Sequence, residues 1–318
     1  MNAPIYTHPP LRQLQASLAA QLEATAAAVV RLDEQVGRAG GVGEGYRSRI
    51  DFQEACAARA LEGELVPLED LVLVDAGASV RLSTIELSRA RLVLQVRRAA
   101  AARPPAWTWS DEALFDDRLT VDRDPLLHQF NGVDWDEDER VDRWRAVLAG
   151  LKGLPVMLRA GIAWDAWLRI EPLHAGAWRS TLMAAAIMRE GGLTQHHLMP
   201  IAAGGRRSRY RDGDHFTFEQ RITGFLDWVI LAAAGGQKEL QRLTLAEQVL
   251  RQVARHKHSD SRLPALVELV LRRPLVSAEM VRHELGVTDT GFRKMRAALG
   301  TSLKELSGRR RYRVWGVL

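Results

Sequence analysis

"SAEMVRHELGVTDTGFRKMRAALG", residues 277–300, decides how one end of this chain is read. Ser277 stands where a hydroxyl can accept the free N–H groups of a first helical turn, and Gly286 supplies the left-handed residue that ends a helix cheaply. After a Gly-Val-Thr turn, Thr288 caps a second helix that Gly300 closes. Two helices joined by so tight a turn make the helix-turn-helix pattern. Just upstream, "LPALVELVLRR" is a further helix, ended by Pro274.

In the second helix of the pair, Phe292, Met295 and Leu299 form an apolar side, so Thr290, Arg293, Lys294 and Arg296 fall mostly away from it. A helix that presents cations near its start suits a major groove, where early residues approach base edges and basic groups reach phosphates or guanine acceptors. Thr288 belongs to the same candidate surface. "SGRRRYRVWGVL", 307–318, is expected as a strand pair or wing. Arg309, Arg310, Arg311 and Arg313 would lie along a phosphate backbone while Val314 and Trp315 hold the wing down.

Charge supports this layout. Residues 251–318 hold 15 of the 44 Lys/Arg and 6 of the 39 Asp/Glu, a net of +9, which leaves −4 for the first 250 residues. A small cationic module on a mildly acidic body is the electrostatic layout of a nucleic-acid binder. Double-stranded DNA is therefore the expected partner, read by a homodimer. Winged-helix shapes also serve as dimerisation or docking modules, and that reading stays open beside it.

The rest of the chain reads as helix. Hydrophobic residues make up 47% and charged residues 26%, Ala- and Leu-rich blocks recur, and strict β-type alternation is scarce, so a mainly α fold is expected. Cys56 is the only cysteine, which excludes an intrachain disulfide and a thiolate cluster and fits a reducing, cytoplasmic setting. "MNAPIYTHPPLRQLQ" lacks the basic start and apolar core of a signal peptide, and no uncharged 18-residue apolar run suggests a membrane span.

Residues 11–40 read as an alanine-rich helix ended by "GRAGGVGEG". A second helix follows to a turn near Gly63–Pro67, then a third closed by Gly77. "STIELSRARLVLQVRRAAAA" is amphipathic with arginine on its outer face. Residues 103–143, with prolines and several Trp, read as an ordered connection or lid. Its "VDWDEDER" is a solvated acidic turn, because no glycine falls at the sixth position that a calcium loop requires. Apolar helices over 141–173 and 179–191 flank the break "IEPLHAGAW", and a helix pair over 216–234 and 237–256 leads through the polar hinge "RHKHSDSRLP" into the tail.

That break carries a resemblance. "LRIEPLHAGAWRSTLMAAAIMREGGLTQHHLMPIA", 168–202, resembles the core of the Fic fold, an all-helical family whose typical members transfer AMP from ATP to a protein hydroxyl. "ARALEGELVPLEDLVL", 58–73, resembles the inhibitory helix of such proteins, and the helix-turn-helix matches the module that frequently closes them. More closely, the chain resembles a bacterial family that joins such a body to a helix-turn-helix end. The resemblance implies an N-terminal helical segment 1–44, a Fic-like helical domain 45–256 and a winged helix-turn-helix domain 257–318.

Laid on the family motif, Pro172, Gly176 and Arg179 are kept, but Glu171 stands where the histidine base belongs. Ala175 replaces the metal-holding acid, Ala177 and Trp178 replace Asn-Gly, and Leu182 replaces the second arginine. Glu171 could serve as a base only if burial raised its pKa. Trp178 puts an indole where glycine lets backbone N–H groups cradle phosphate. No metal and no cofactor are expected. Of the inhibitory helix Glu62 and Gly63 persist, with Ala58 at the serine position, and Glu62 is expected to pair with Arg179 or to face solvent at a helix end.

Other candidates are weaker. His196 and His197 are adjacent, so on a helix they point about 100° apart and cannot chelate one ion. His256 and His258 have no acidic or cysteine partner at ligand spacing. "RRSRYRDGDH", 206–215, is a basic loop beside the break, suited to solvent, to nucleic acid or to an acidic ligand, and "GVGEG" lacks the strand of a dinucleotide fingerprint. Three functions remain: a regulator with a chemically silent body that dimerises or senses an unidentified small-molecule or protein effector, a divergent transferase using Glu171 and Arg179, and an interaction protein.

Overall fold

A computed structural model describes residues 6–77, 84–115, 136–174, 176–255, 262–307 and 313–317. The order is α1 (Leu11–Ser17), α2 (Ala19–Arg38), α3 (Gly40–Leu61), α4 (Leu68–Asp75), α5 (Ile85–Ala102), a 3-10 turn (Pro105–Trp109) and α6 (Asp111–Phe115). Then come α7 (Glu137–Gly150), α8 (Val156–Ile170), α9 (Arg179–Glu190), α10 (Ile201–Arg207) and α11 (Phe218–Arg255). The C-terminal module contains α12 (Leu263–Arg272), β1 (Val276–Ser277), α13 (Ala278–Leu285), α14 (Asp289–Leu299), β2 (Lys304–Glu305) and β3 (Val314–Gly316). The protein is mainly α, as the residue pattern predicts.

α8 is the centre of the body. Its sequence VMLRAGIAWDAWLRI has too many apolar residues for a one-sided stripe, and Met157 through Trp167 are buried on nearly every side except Arg159. Trp144 of α7 stacks edge-on against Trp167 at 5.1 Å and donates its Nε1–H to Ala163 O. The one acid of α8, Asp165, is held by Arg221 at 2.6 Å and by the Tyr6 hydroxyl at 2.8 Å, so its charge is paired where it is desolvated. α9, buried from Arg179 to Met188, lies against α8.

α10 and α11 meet more closely than side chains would permit. A Cβ on Gly204 would sit 2.0 Å from Trp228 O and 2.8 Å from the Ala232 backbone nitrogen. Backbone cannot yield as a flexible side chain does, so Gly204→Ala is expected to cost about 1–3 kcal/mol. A melting temperature in the variant within a degree of the parent would refute that close approach. Glu54 of α3 sits fully buried at the start of α10, accepting the Ala202 and Ala203 N–H groups at 2.9 Å each. Burial pushes its carboxyl pKa up, against those two bonds and the Arg97 charge.

Several expectations change. "GRAGGVGEG" ends α2 at Arg38 as expected, but the break is one residue wide: Gly40, at φ +53°, turns the chain, and α3 starts there and carries Gly43 and Gly45 in its first turns. Those glycines serve contact, since a Cβ on Gly43 would sit 2.5 Å from Val36 O and one on Gly45 2.1 Å from Leu271 O. The division at 44/45 accordingly falls inside α3, and the one at 256/257 lies outside the described residues. The pair 216–234 and 237–256 is one 38-residue helix, α11. Gly235 and Gly236 mark no break in it, because they admit Arg207 and the Tyr46 hydroxyl with Leu32. The apolar run 141–173 is instead two helices, α7 and α8, parted at Gly153 by φ +85°. Finally, the arginines of α5 are not all outward. Arg97 is 2% exposed and holds Asp51, Leu198 O and Met199 O.

Candidate nucleic-acid interface and the interrupted helix

The C-terminal module forms as its caps dictate. Ser277 Oγ accepts from Met280 N, Gly286 adopts φ +62°, and Thr288 Oγ1 accepts from Gly291 N at 3.1 Å. Thr288 thus spends its hydroxyl on the helix cap. Phe292, Met295 and Leu299 are buried, and Phe292 meets Trp315 edge-on at 5.2 Å. Val314 and Trp315 hold β3 between β1 and β2 in an antiparallel three-stranded sheet, with Val276 opposite Trp315 and Lys304 opposite Gly316. The two outer strands carry no obvious β pattern in sequence; a run of two residues gives no periodicity to read.

Pairing sorts the cations of this module. Glu284 holds Arg272 and Arg273, Asp289 lies 3.4 Å from Arg282, and Glu305 lies 3.5 Å from Arg313. Arg296 is only half exposed, its guanidinium 5.3 Å over the Trp315 ring, so it braces the helix against the sheet. Arg293 and Lys294 stay exposed, as does Thr290, and neither cation is ion-paired among the described residues. Arg309, Arg310 and Arg311 lie outside the described residues.

Among the described residues two arginines tie the module to the body, and one of them, Arg242 of α11, donates to Val317 O at 2.6 Å. Arg49 of α3 is 2% exposed, donates to Val270 O at 2.7 Å and to Leu271 O, and so closes the carbonyl end of α12. Burial lowers its pKa to about 10, against the attraction of Glu239. The sequence carries no signal for this residue, because Arg47 and Arg49 in a glycine-rich helix both look like surface.

At the interrupted helix, Glu171 ends α8 in the left-handed region at φ 49°, the only non-glycine residue there among the described ones. It is exposed, so the burial that a base at this position would need is missing. Pro172 and Gly176 are buried, and a Cβ on Gly176 would lie 2.8 Å from that of Leu173. The loop is tied down by Trp167 Nε1 donating to Gly176 O at 2.8 Å and by His174 N donating to Glu137. Trp178, 7% exposed, fills the interior beneath it, and the Arg179 guanidinium stacks on that indole at 4.7 Å while donating to Ala113 O. Burial lowers the Arg179 pKa to about 10 in spite of Glu137.

Glu62 does not pair with Arg179 and does not face open solvent. Its carboxylate binds Arg59, which also binds Glu64, and burial raises its pKa against Arg59 and the Trp178 backbone N–H. The end of α3 therefore does face the interrupted loop, but through main chain. Gly63, at φ +86°, makes the turn that follows. In the basic loop 206–215, Arg211 donates to Gly205 O and Ser208 O and the two acids, Asp212 and Asp214, hold Arg169 of α8, while Arg206, Arg207 and Arg209 are exposed.

His197 has a role the sequence did not disclose. Asp33 of α2 accepts from its Nδ1 at 2.8 Å and from the Gln195 and His196 N–H groups at 2.8 and 3.0 Å. Burial raises the Asp33 pKa, but these three bonds outweigh it and hold the carboxyl below its usual range. Burial lowers the His197 pKa against the pull of Asp33. Among the described residues no three His, Cys, Asp or Glu side chains could hold one metal ion, and no helix is long and apolar enough to cross a membrane.

A large helical body with a small winged helix-turn-helix docked on it defines the class: a protein with a DNA-binding module. Residues 263–318 match the family model described as "HTH DNA binding domain", and residues 130–255 match "Protein of unknown function (DUF1612)". The chain is 34% identical to "Uncharacterized protein y4cF" of Sinorhizobium fredii (strain NBRC 101917 / NGR234) over 361 aligned positions, 91% of this chain and 93% of the relative. It belongs to that family.

Proposed function

We propose that this protein is a DNA-binding transcriptional regulator whose Fic-like body, residues 45–256, has no transferase chemistry, and whose winged module, 257–318, grips duplex DNA as a homodimer. The observation that carries the reading is the pairing pattern around α14. Glu284, Asp289 and Glu305 are each engaged by another arginine, which leaves Arg293 and Lys294 on the outward face for phosphates or guanine edges. Thr290 lies on the same face, and this reading assigns Arg309, Arg310, Arg311 and Arg313 of the wing sequence to the phosphate backbone. Arg296 and Thr288 act indirectly, by bracing and capping that helix.

The silent body rests on Trp178 and Arg179. An indole occupies the space a phosphate cradle needs, and the guanidinium that would clamp phosphate is committed to Ala113 O. The family's acid and second arginine are Ala175 and Leu182 here, so neither a magnesium ligand nor a second clamp is present.

Fluorescence anisotropy with duplex DNA from the protein's own upstream region tests this. Binding is expected to weaken about 10–100-fold in the Arg293→Ala/Lys294→Ala double variant, with the salt slope smaller by about 2. Duplex affinity that ignores the double substitution and survives truncation before residue 262 would remove the proposal.

A further inference from the structure

We propose that the body carries a binding site for a small organic oxyanion, a carboxylate or a phosphate ester, in the cleft where α3, α5 and the end of α9 meet. The cleft is a cavity of about 410 Å³ lined by Arg47, Arg98 and Arg189. That volume is in the range of small-molecule sites.

The charge balance within it is one-sided. The acid on its wall is Asp51, and Asp51 is engaged at 2.7 Å by the buried Arg97, which is itself fixed by Leu198 O and Met199 O. Arg98 is oriented by Asp75 at 2.8 Å and by its stacking over Phe52 at 5.0 Å. Arg189 has only carbonyl partners, Ala100 O and Arg103 O, which position the guanidinium without neutralising it. Arg47 has neither ion pair nor hydrogen bond among the described residues. The three guanidiniums line one cleft, and two of them, Arg47 and Arg189, have no carboxylate partner among the described residues, which favours a bidentate oxyanion. Ile50, Ala101, Ala102 and Leu198 supply an apolar wall, which selects an organic anion over a bare inorganic one.

The site also adjoins the seat of the winged module. Arg47, Ile50 and Asp51 belong to α3, the helix whose Gly45 and Arg49 hold α12 on its other side. A ligand drawing Arg47 inward acts on the element that seats the DNA-binding helices. This effector role rests on the DNA-binding reading above, whereas the binding site does not.

The two parts separate in experiment. Calorimetry of the full chain at constant ionic strength would use glutarate, phenyl phosphate, inorganic phosphate and the uncharged glutaramide. At least one organic anion is expected to bind with Kd below about 1 mM, glutaramide not at all, and affinity is expected to fall at least tenfold in Arg47→Glu and in Arg98→Gln. Arg209→Ala, in the exposed loop outside the cleft, should change nothing. The preferred probe identifies the headgroup as carboxylate or phosphate ester. No heat with any organic anion, or equal affinity in the cleft variants, overturns the site. Binding of inorganic phosphate alone, indifferent to Arg47→Glu, means an adventitious ion only. In the DNA titration the bound anion should shift duplex affinity at least fivefold in the parent and not in Arg47→Glu. Anion binding with unshifted duplex affinity overturns the effector role, and so does loss of DNA affinity in Arg47→Glu without anion, which shows that Arg47 contacts the DNA itself.

Discussion

Replacing Arg49 by methionine is expected to remove about 3 kcal/mol of stability and to let the winged module melt apart from the body. The guanidinium is the hydrogen-bond partner of Val270 O and Leu271 O at the end of α12, and a buried carbonyl left without a donor costs about 1–3 kcal/mol. Methionine keeps the apolar stem and removes the donors, so the loss reports hydrogen bonding rather than a cavity. Glu239 retains Arg242 at 2.6 Å and is not orphaned. Differential scanning calorimetry should show one transition in the parent and two in the variant. Gly45→Ala should act in the same direction, because its Cβ would enter the space of Leu271 O. A single transition at the parental temperature in both variants would show that this seam does not hold the domains together.

Asp33→Ala is the second large effect, again expected at about 3 kcal/mol or more. The carboxylate closes two part-buried backbone N–H groups and one buried imidazole, and alanine leaves all three without that partner at once. The same cluster sets a pH dependence. The folded chain resists protonating His197, so below the ordinary imidazole range of about 6.5 the unfolded chain takes up a proton that the fold refuses. Stability is therefore full above that range and falls as pH drops through it. Asp33, with its lowered carboxyl pKa, adds a further loss only in more acid solution, near and below about 4. Arg97 and Asp51 are the other charges acting on His197. Denaturant titrations at pH 7.5 and 5.5 should show a smaller acid loss in His197→Gln than in the parent. Equal losses in the two proteins would exclude His197 as the source.

The winged module was readable because its signals are local. Caps at Ser277 and Thr288, stops at Gly286 and Gly300, and an apolar stripe at helical spacing each involve residues a few positions apart. The interrupted loop was readable for a related reason: Trp178 and Gly176 constrain the backbone on which they sit. What could not be read were encounters between distant parts of the chain. Gly45, Gly204, Gly235 and Gly236 look like breaks in one dimension, and only the neighbouring helix shows that each is a point of close approach. Glu62 is similar. Its helix reaches the loop, yet Arg59, three residues away, takes the carboxylate that was expected to reach Arg179.

By itself, then, the sequence determined the helical class, the cationic end and the two capped helices that give it shape, since hydrogen-bond capping and periodic burial act within a turn or two. Tertiary structure decided which charges remain available. Arg49, Arg97 and Arg179 lie at the same kind of position in sequence as Arg47 and Arg293, and only the carbonyls and carboxylates brought to them by folding distinguish a buried strut from an exposed cation.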